Sequence, residues 1–237
     1  GKWVYAALLL AVVFCAYQMR LITIDTDPEN MLEANHPARV FHNDVKHTFA
    51  MHDAIVVGVI ASPANDTATD NAALSTNKGI YTPNNLQAID GVTQQILNTE
   101  GVIARDVMSF STVDNITQGD DGELKFSWMM SQAPSSQEEA DYIANAIARL
   151  PMLQGSLASS SHNAAAIYVP IKDKNESFRI AEDIRAYIGA NTTNETLQWH
   201  ITGLPVAEDQ FGVEMFIQMA ISAPAAGLMI FILLFVF

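Results

Sequence analysis

Residues 54–61 read AIVVGVIA, eight apolar residues without a break. The run reads as a buried strand, although periodicity alone leaves a helix open. Taken as a strand, it sets the class of the domain around it, because helical patterns lie on both sides. Upstream, Pro37 suits the first position of a helix, and Val40, Phe41, Val45 and Phe49 follow on one side of it. Downstream comes a polar stretch, 62–79, with little apolar surface to order it. A second helix then opens at Thr82, a residue able to cap, with Pro83 behind it and Leu86, Ile89, Val92 and Ile96 as its inner stripe. Gly101 marks its end.

The pattern continues in both periods. Residues 102–113, VIARDVMSFSTV, read as a strand. After an Asp121–Gly122 turn, Leu124, Phe126, Trp128 and Met130 alternate with Lys125, Ser127 and Met129, the signature of a half-buried strand. Ser136 and Glu139 form a capping box ahead of Ala140, Ile143, Ile147 and Leu150. AAAIYVPI, 164–171, is a further strand. Asn175 can cap a helix with Phe178, Ala181, Ile184 and Ile188 inward, and LQWHITG, 197–203, closes the domain with Leu197, Trp199 and Ile201 on one face. Helices and strands interleave, but the β-rich stretch 102–130 breaks strict alternation. The expected fold is an α+β sandwich of the ferredoxin-like, split β-α-β kind, with helices on one face of the sheet.

Two apolar runs bracket this domain. The first, Trp3 to Met19, reaches spanning length by continuing through Arg20 to Ile22, the arginine snorkelling to the interface. Trp3, Tyr5 and Tyr17 suit interfacial belts, and no small-residue cleavage signal follows. The second, Met215 to Phe237, has 23 residues and no charge. Pro224 and Gly227 within it are tolerated in membrane helices. The expected division is therefore a transmembrane helix at 1–22, an extracytoplasmic domain at 23–214, and a second, truncated transmembrane helix at 215–237. RLITIDTDPENMLEANHP, 20–37, is the junction that carries the chain from bilayer to domain. The chain reads as the N-terminal fragment of a longer membrane protein.

Charge narrows the partners. No Asp or Glu precedes Asp25 or follows Glu214, so residues 25–214 hold all 26 acids and ten of the twelve Lys and Arg, 10 − 26 = −16. Nucleic acid and anionic lipid are poor partners for such a surface. The one cysteine, Cys15, sits inside the first run behind Phe14, where a lipid attachment signal wants a small residue. Five N-x-[ST] sequons begin at Asn65, Asn115, Asn175, Asn191 and Asn194 and matter only in a eukaryotic secretory route.

Candidate chemistry is thin. His36, His42, His47 and His52 crowd one region but stand five or six residues apart, whereas a helical ligand pair wants three or four. Asp25 with Asp27, and Asp120 with Asp121, are carboxylate pairs; the second sits in ordinary turn chemistry. GSLASSSH, 155–162, holds serines and a histidine without a nucleophile elbow. No catalytic, cofactor-binding or metal-ligating residue is assigned, and no enzyme is expected.

The segments at the joints carry a resemblance. Residues 22–59, ITIDTDPENMLEANHPARVFHNDVKHTFAMHDAIVVGV, resemble the stretch after the first membrane helix of resistance–nodulation–division (RND) superfamily exporters. The nearest branch holds the mycobacterial large membrane proteins, hopanoid transporters and Patched-like proteins. Residues 79–116, 150–171 and 201–211 match in the same order, the last leading into the second membrane helix. Ala50 departs from the pattern, standing where the family often has Gly after the Phe. The resemblance implies a multi-pass inner-membrane, proton-driven exporter whose periplasmic domain handles hydrophobic or amphipathic, lipid-like substrate. Its partners would be the bilayer, the remaining membrane helices of the same polypeptide and, in some assemblies, further copies. The competing expectation is a two-span receptor with an extracytoplasmic sensor domain, which shares the layout.

Overall fold

The computed structural model describes residues 31–62, 79–119, 121–192 and 196–236, with Trp3, Ala7, Leu10, Phe14, Tyr17 and Gln18 of the first apolar run, which are helical and exposed. The rest of 1–30 and most of the polar stretch 62–79 lie outside the described residues, Asp25, Asp27 and Asp120 among them. The elements in chain order are α1 (Pro37–Thr48), β1 (Ala54–Ala61), α2 (Pro83–Leu97), a 3-10 turn (Ala104–Asp106), β2 (Asp114–Gln118) and β3 (Leu124–Trp128). They continue with α3 (Gln137–Ala148), β4 (Ala164–Pro170), a second 3-10 turn (Lys174–Glu176), α4 (Ser177–Asn191), β5 (Leu197–Thr202) and α5 (Leu204–Val236). The chain divides into two compact units, one of Gly1–Asp44 with Gln210–Phe237 and one of Val45–Asp209.

The run at 54–61 is a strand, the middle one of a three-stranded antiparallel sheet ordered β4-β1-β5. Ala54 stands opposite Pro170 and Ile60 opposite Ala164 on one side; Val56 faces Thr202 and Ala61 faces Leu197 on the other. Only one face of the run is sealed. Ile55, Val57, Val59 and Ala61 are buried, while Ile60 on the alternate face is 39% exposed. The sealed face packs into a core with Ile167 and Val169 of β4, Leu86, Ile89, Val92 and Ile96 of α2, Ala140, Ile143 and Ile147 of α3, and Ile180, Ala181 and Ile184 of α4. Fully burying one Leu or Ile is worth about 1.5–3 kcal/mol, so this single cluster accounts for most of what holds the unit together. Tyr81 closes one end of it, its ring 5.9 Å from Phe110 and edge-on to His162 at 5.2 Å. Burial pushes the Tyr81 phenol up to about 12, so it stays neutral at any physiological pH.

Local signals explain two of the helix starts. The Thr82 hydroxyl accepts the Asn85 N–H at 3.3 Å, with Pro83 at the first helical position. The Ser136 hydroxyl accepts the Glu139 N–H at 3.3 Å. The return bond of that box is displaced by one residue: Glu139 accepts the Ser135 N–H at 2.7 Å.

Several expectations are corrected. Residues 102–113 form no continuous strand; they make the 3-10 turn and two isolated antiparallel bridges, Val102 to Ile171 and Met108 to Tyr168. The cause is hydroxyl competition for the backbone. Thr112 Oγ1 accepts the Ser109 N–H at 2.8 Å and donates to the Val107 carbonyl at 2.7 Å, folding the segment into a turn over buried Val107, Phe110 and Val113. Helix α2 stops at Leu97, capped at Asn98, ahead of Gly101. Asn175 does not cap α4: Asp173 caps the second 3-10 turn, its Oδ1 accepting the Asn175 N–H at 2.9 Å, α4 starts behind Glu176 with no side-chain cap bond, and Phe178 points outward while Ile180 takes the inner place. Leu124, Phe126 and Trp128 are exposed, and α1 buries no residue.

Two backbone positions anchor the chain's entry into and exit from the sheet. Helix α1 ends in a Schellman arrangement: Met51 N–H donates to the Lys46 carbonyl at 2.9 Å, Ala50 N–H reaches the His47 carbonyl at 3.4 Å, and Ala50 takes φ +47°. Ala50 therefore occupies the left-handed site that favours glycine. At the far end Gly203 has φ +130° and sits against β1, where a Cβ would lie 2.6 Å from the Ala54 carbonyl oxygen. Its own carbonyl accepts the Ala207 N–H at 2.9 Å, opening α5. That helix begins at Leu204, takes in the apolar run from Met215 and runs through Pro224. The Ser177 hydroxyl, fully buried, donates to the Asp209 carboxylate and ties the start of α4 to the first turns of α5.

Candidate functional site

The hairpin of β2 and β3 pairs Asp114 with Trp128, Ile116 with Phe126 and Gln118 with Leu124. Because side chains alternate along a strand, Ile116, Leu124, Phe126 and Trp128 share one face. All four are exposed, Phe126 by 67%. A two-stranded sheet is marginal in water by itself, and an apolar face of this kind marks a contact surface.

Where β3 runs into the 129–135 turn and meets α3, a cleft of about 480 Å³ opens. Trp128, Tyr142, Ile143 and Met129 give it apolar walls, and Ser135 and Glu139 line its polar side. Long-range bonds hold the turn in place. Gln87 Nε2 donates to the Pro134 carbonyl at 3.1 Å, and Gln137 Nε2 donates to the Tyr81 carbonyl at 2.8 Å. Tyr142 is positioned by buried Asn115, whose Nδ2 donates to the phenol oxygen at 3.1 Å. Asn115 Oδ1 has no hydrogen-bond partner among the described residues.

Glu139 and Tyr142 are the titratable groups among the lining residues. The Ser135 backbone N–H, then its hydroxyl at 3.1 Å, hold the Glu139 carboxyl below the usual carboxylate range. A carboxyl whose folded pKa is depressed stabilises the fold fully above its unfolded pKa and loses that contribution as pH falls through the folded value. The support this carboxylate gives the first turn of α3 is therefore expected to decline as pH falls below the unfolded carboxylate value and to be gone once the lowered folded value is passed. The amide shifts of Ser135 and Glu139 across an acid titration report this step, and Glu139→Gln removes it.

Among the described residues the sequence-derived candidates do not converge. Among the described residues no group of three or more His, Cys, Asp or Glu could hold a metal ion. The Ser-rich turn at 155–162 is structural: Ser159 and Ser161 donate to Asn163 Oδ1 at 2.9 and 2.5 Å, and His162 packs against Tyr81. The cleft and the hairpin's apolar face were missed in the sequence. Their one signal was the alternation at 124–130, which marks an apolar face without saying what covers it. What the cleft offers is a mainly hydrogen-bonding lining with an apolar wall, a surface for holding a molecule.

Compared with known proteins, the chain matches no family model and no curated protein.

Proposed function

We propose that this chain is the N-terminal part of a proton-driven exporter of hydrophobic or amphipathic substrate, resembling RND transporters. On this reading the α+β unit is a periplasmic, porter-type domain and 1–22 and α5 are its flanking spans. The observation that carries the reading is α5, a helix of 33 residues long and apolar enough to cross a membrane and unburied through its apolar stretch. It follows directly on β5, the last strand of the α+β unit. The strand order supports the ferredoxin-like assignment. Counting the bridged segment 102–108 as an irregular strand outside β4 gives the succession 102–108, β4, β1, β5, with α2 and α4 as the two split crossovers. The hairpin and α3 are then an insertion between the second and third strands, and the cleft they form is a place for cargo to rest.

Efflux of a hydrophobic fluorescent substrate from cells making the intact protein tests this. Efflux is expected to stop when the proton gradient is collapsed. Transport that continues unchanged would contradict proton coupling, and a chain that moves nothing while altering a signalling output would favour the receptor.

A further inference from the structure

The cleft beside α3 carries a single formal charge, and it is negative. Glu139 lines it, and no Lys, Arg or His does. Helix α3 has the same sign throughout, with Glu138, Glu139 and Asp141 and no basic residue from Gln137 to Ala148. The start of a helix supplies only about half a positive elementary charge, less than any one of these carboxylates offsets. Ser135 holds the Glu139 carboxyl below the usual range, first through its N–H and then through its hydroxyl, so the group is ionised at neutral pH. Capping occupies one of its two oxygens. Both Ser135 bonds end on Oε2, and Oε1 has no partner among the described residues.

The rest of the lining fits a cation. Tyr142 stands three residues after Glu139 on α3, so the two share a helix face. The 3.1 Å bond from Asn115 fixes its phenol against the hairpin. Trp128 adds further aromatic surface to the lining, and Met129 adds a thioether. Aromatic faces attract ammonium groups, and polarizable sulfur packs well beside them. An anion would meet Glu139 with no basic side chain to receive it, and a neutral molecule would leave Oε1 without an opposite charge.

We propose that the cleft binds an organic ammonium group, with Glu139 Oε1 as its counter-charge and the Tyr142 ring as its aromatic wall. On the reading of the cleft as a resting place for cargo, on which this step rests, the cargo's head is cationic. The binding itself needs neither a proton gradient nor transport.

The test uses the intact protein in a non-ionic detergent at constant ionic strength, followed by its amide signals. Choline is the probe, and 3,3-dimethylbutan-1-ol, the same shape without the charge, is its control. Choline is expected to move the amides of residues 131, 132, 133, 135 and 139 saturably while those of β1 stay in place. It should do so at about five-fold lower concentration than the alcohol, the scale of one exposed ion contact with one exposed cation–π contact. Glu139→Gln keeps the acceptor oxygen and removes the charge; it should bring choline level with the alcohol and leave the alcohol's titration unchanged. Glu139→Asp, which keeps the charge, should retain a preference for choline. Equal titration by the two probes in the parent protein, or no movement with either, would overturn the proposal without any substitution. A choline preference that survives Glu139→Gln would overturn it as well, by placing the cation elsewhere. Efflux that fails while choline binds would count against the transport reading alone.

Discussion

Gly203→Val is expected to destabilise the α+β unit by about 2–6 kcal/mol, the sum of a backbone conformation open essentially to glycine alone and a clash that a packed core cannot absorb. The added Cβ would meet the Ala54 carbonyl oxygen at 2.6 Å and Ile55 Cα at 3.1 Å, both backbone atoms of the central strand. Neither can rotate away as a side chain would. Against a total stability of about 5–15 kcal/mol, thermal unfolding of the protein in nanodiscs should drop by about 5–20 °C. Two companion variants separate the causes. Gly155→Ala, at φ +89° with nothing within 4 Å of the new Cβ, carries backbone strain without a clash and should cost far less. Ala50→Gly relieves a left-handed alanine and should raise stability by about 0.5–1 kcal/mol. A Gly203→Val protein melting with the parent would show that the β5–α5 junction is not built as described.

Ile221→Arg combined with Leu228→Arg is expected to keep α5 out of the bilayer. Each exchange removes a residue that favours insertion and adds a charge near mid-span, at about 3–4 kcal/mol apiece. Both residues are exposed side chains of the long helix, Ile221 by 67% and Leu228 by 63%, so neither substitution disturbs a protein core. Phe235→Cys in a Cys15→Ala background supplies the readout. An impermeant maleimide applied to the outer face of intact cells should leave the parent unlabelled and label the double-arginine chain. Labelling of both to the same extent would mean that α5 does not cross. The pair Ile221→Leu with Leu228→Ile should behave as the parent does.

What could be read from the sequence was what is decided locally or by burial against the chain itself. Thr82 and Ser136 cap because a hydroxyl three residues ahead of an N–H is a local event. The α2 stripe is buried because its partner, β1, is equally apolar. The failures have other causes. Residues 102–113 have strand composition, yet Ser109 and Thr112 offer the backbone a competing set of bonds. Phe178 has the right spacing, but the register of α4 is set by Asp173 and the turn it caps, which brings Ile180 inward. The apolar faces of α1 and the hairpin look like core faces in sequence because hydrophobicity does not name its partner. The cleft depends on contacts such as Gln87 with Pro134 and Gln137 with Tyr81, 47 and 56 residues apart, which no short window contains.

Asn115 begins an Asn-Ile-Thr acceptor sequence, yet it is only 2% exposed and holds the Tyr142 phenol. An oligosaccharide attached there could not coexist with the closed hairpin. Production in a glycosylating host would therefore set sugar transfer against folding, and glycan at Asn115 would identify molecules caught before the hairpin shut. The acceptor at Asn175, on the surface, could carry sugar without that conflict, so the ratio of the two occupancies would act as a clock for how quickly this region folds.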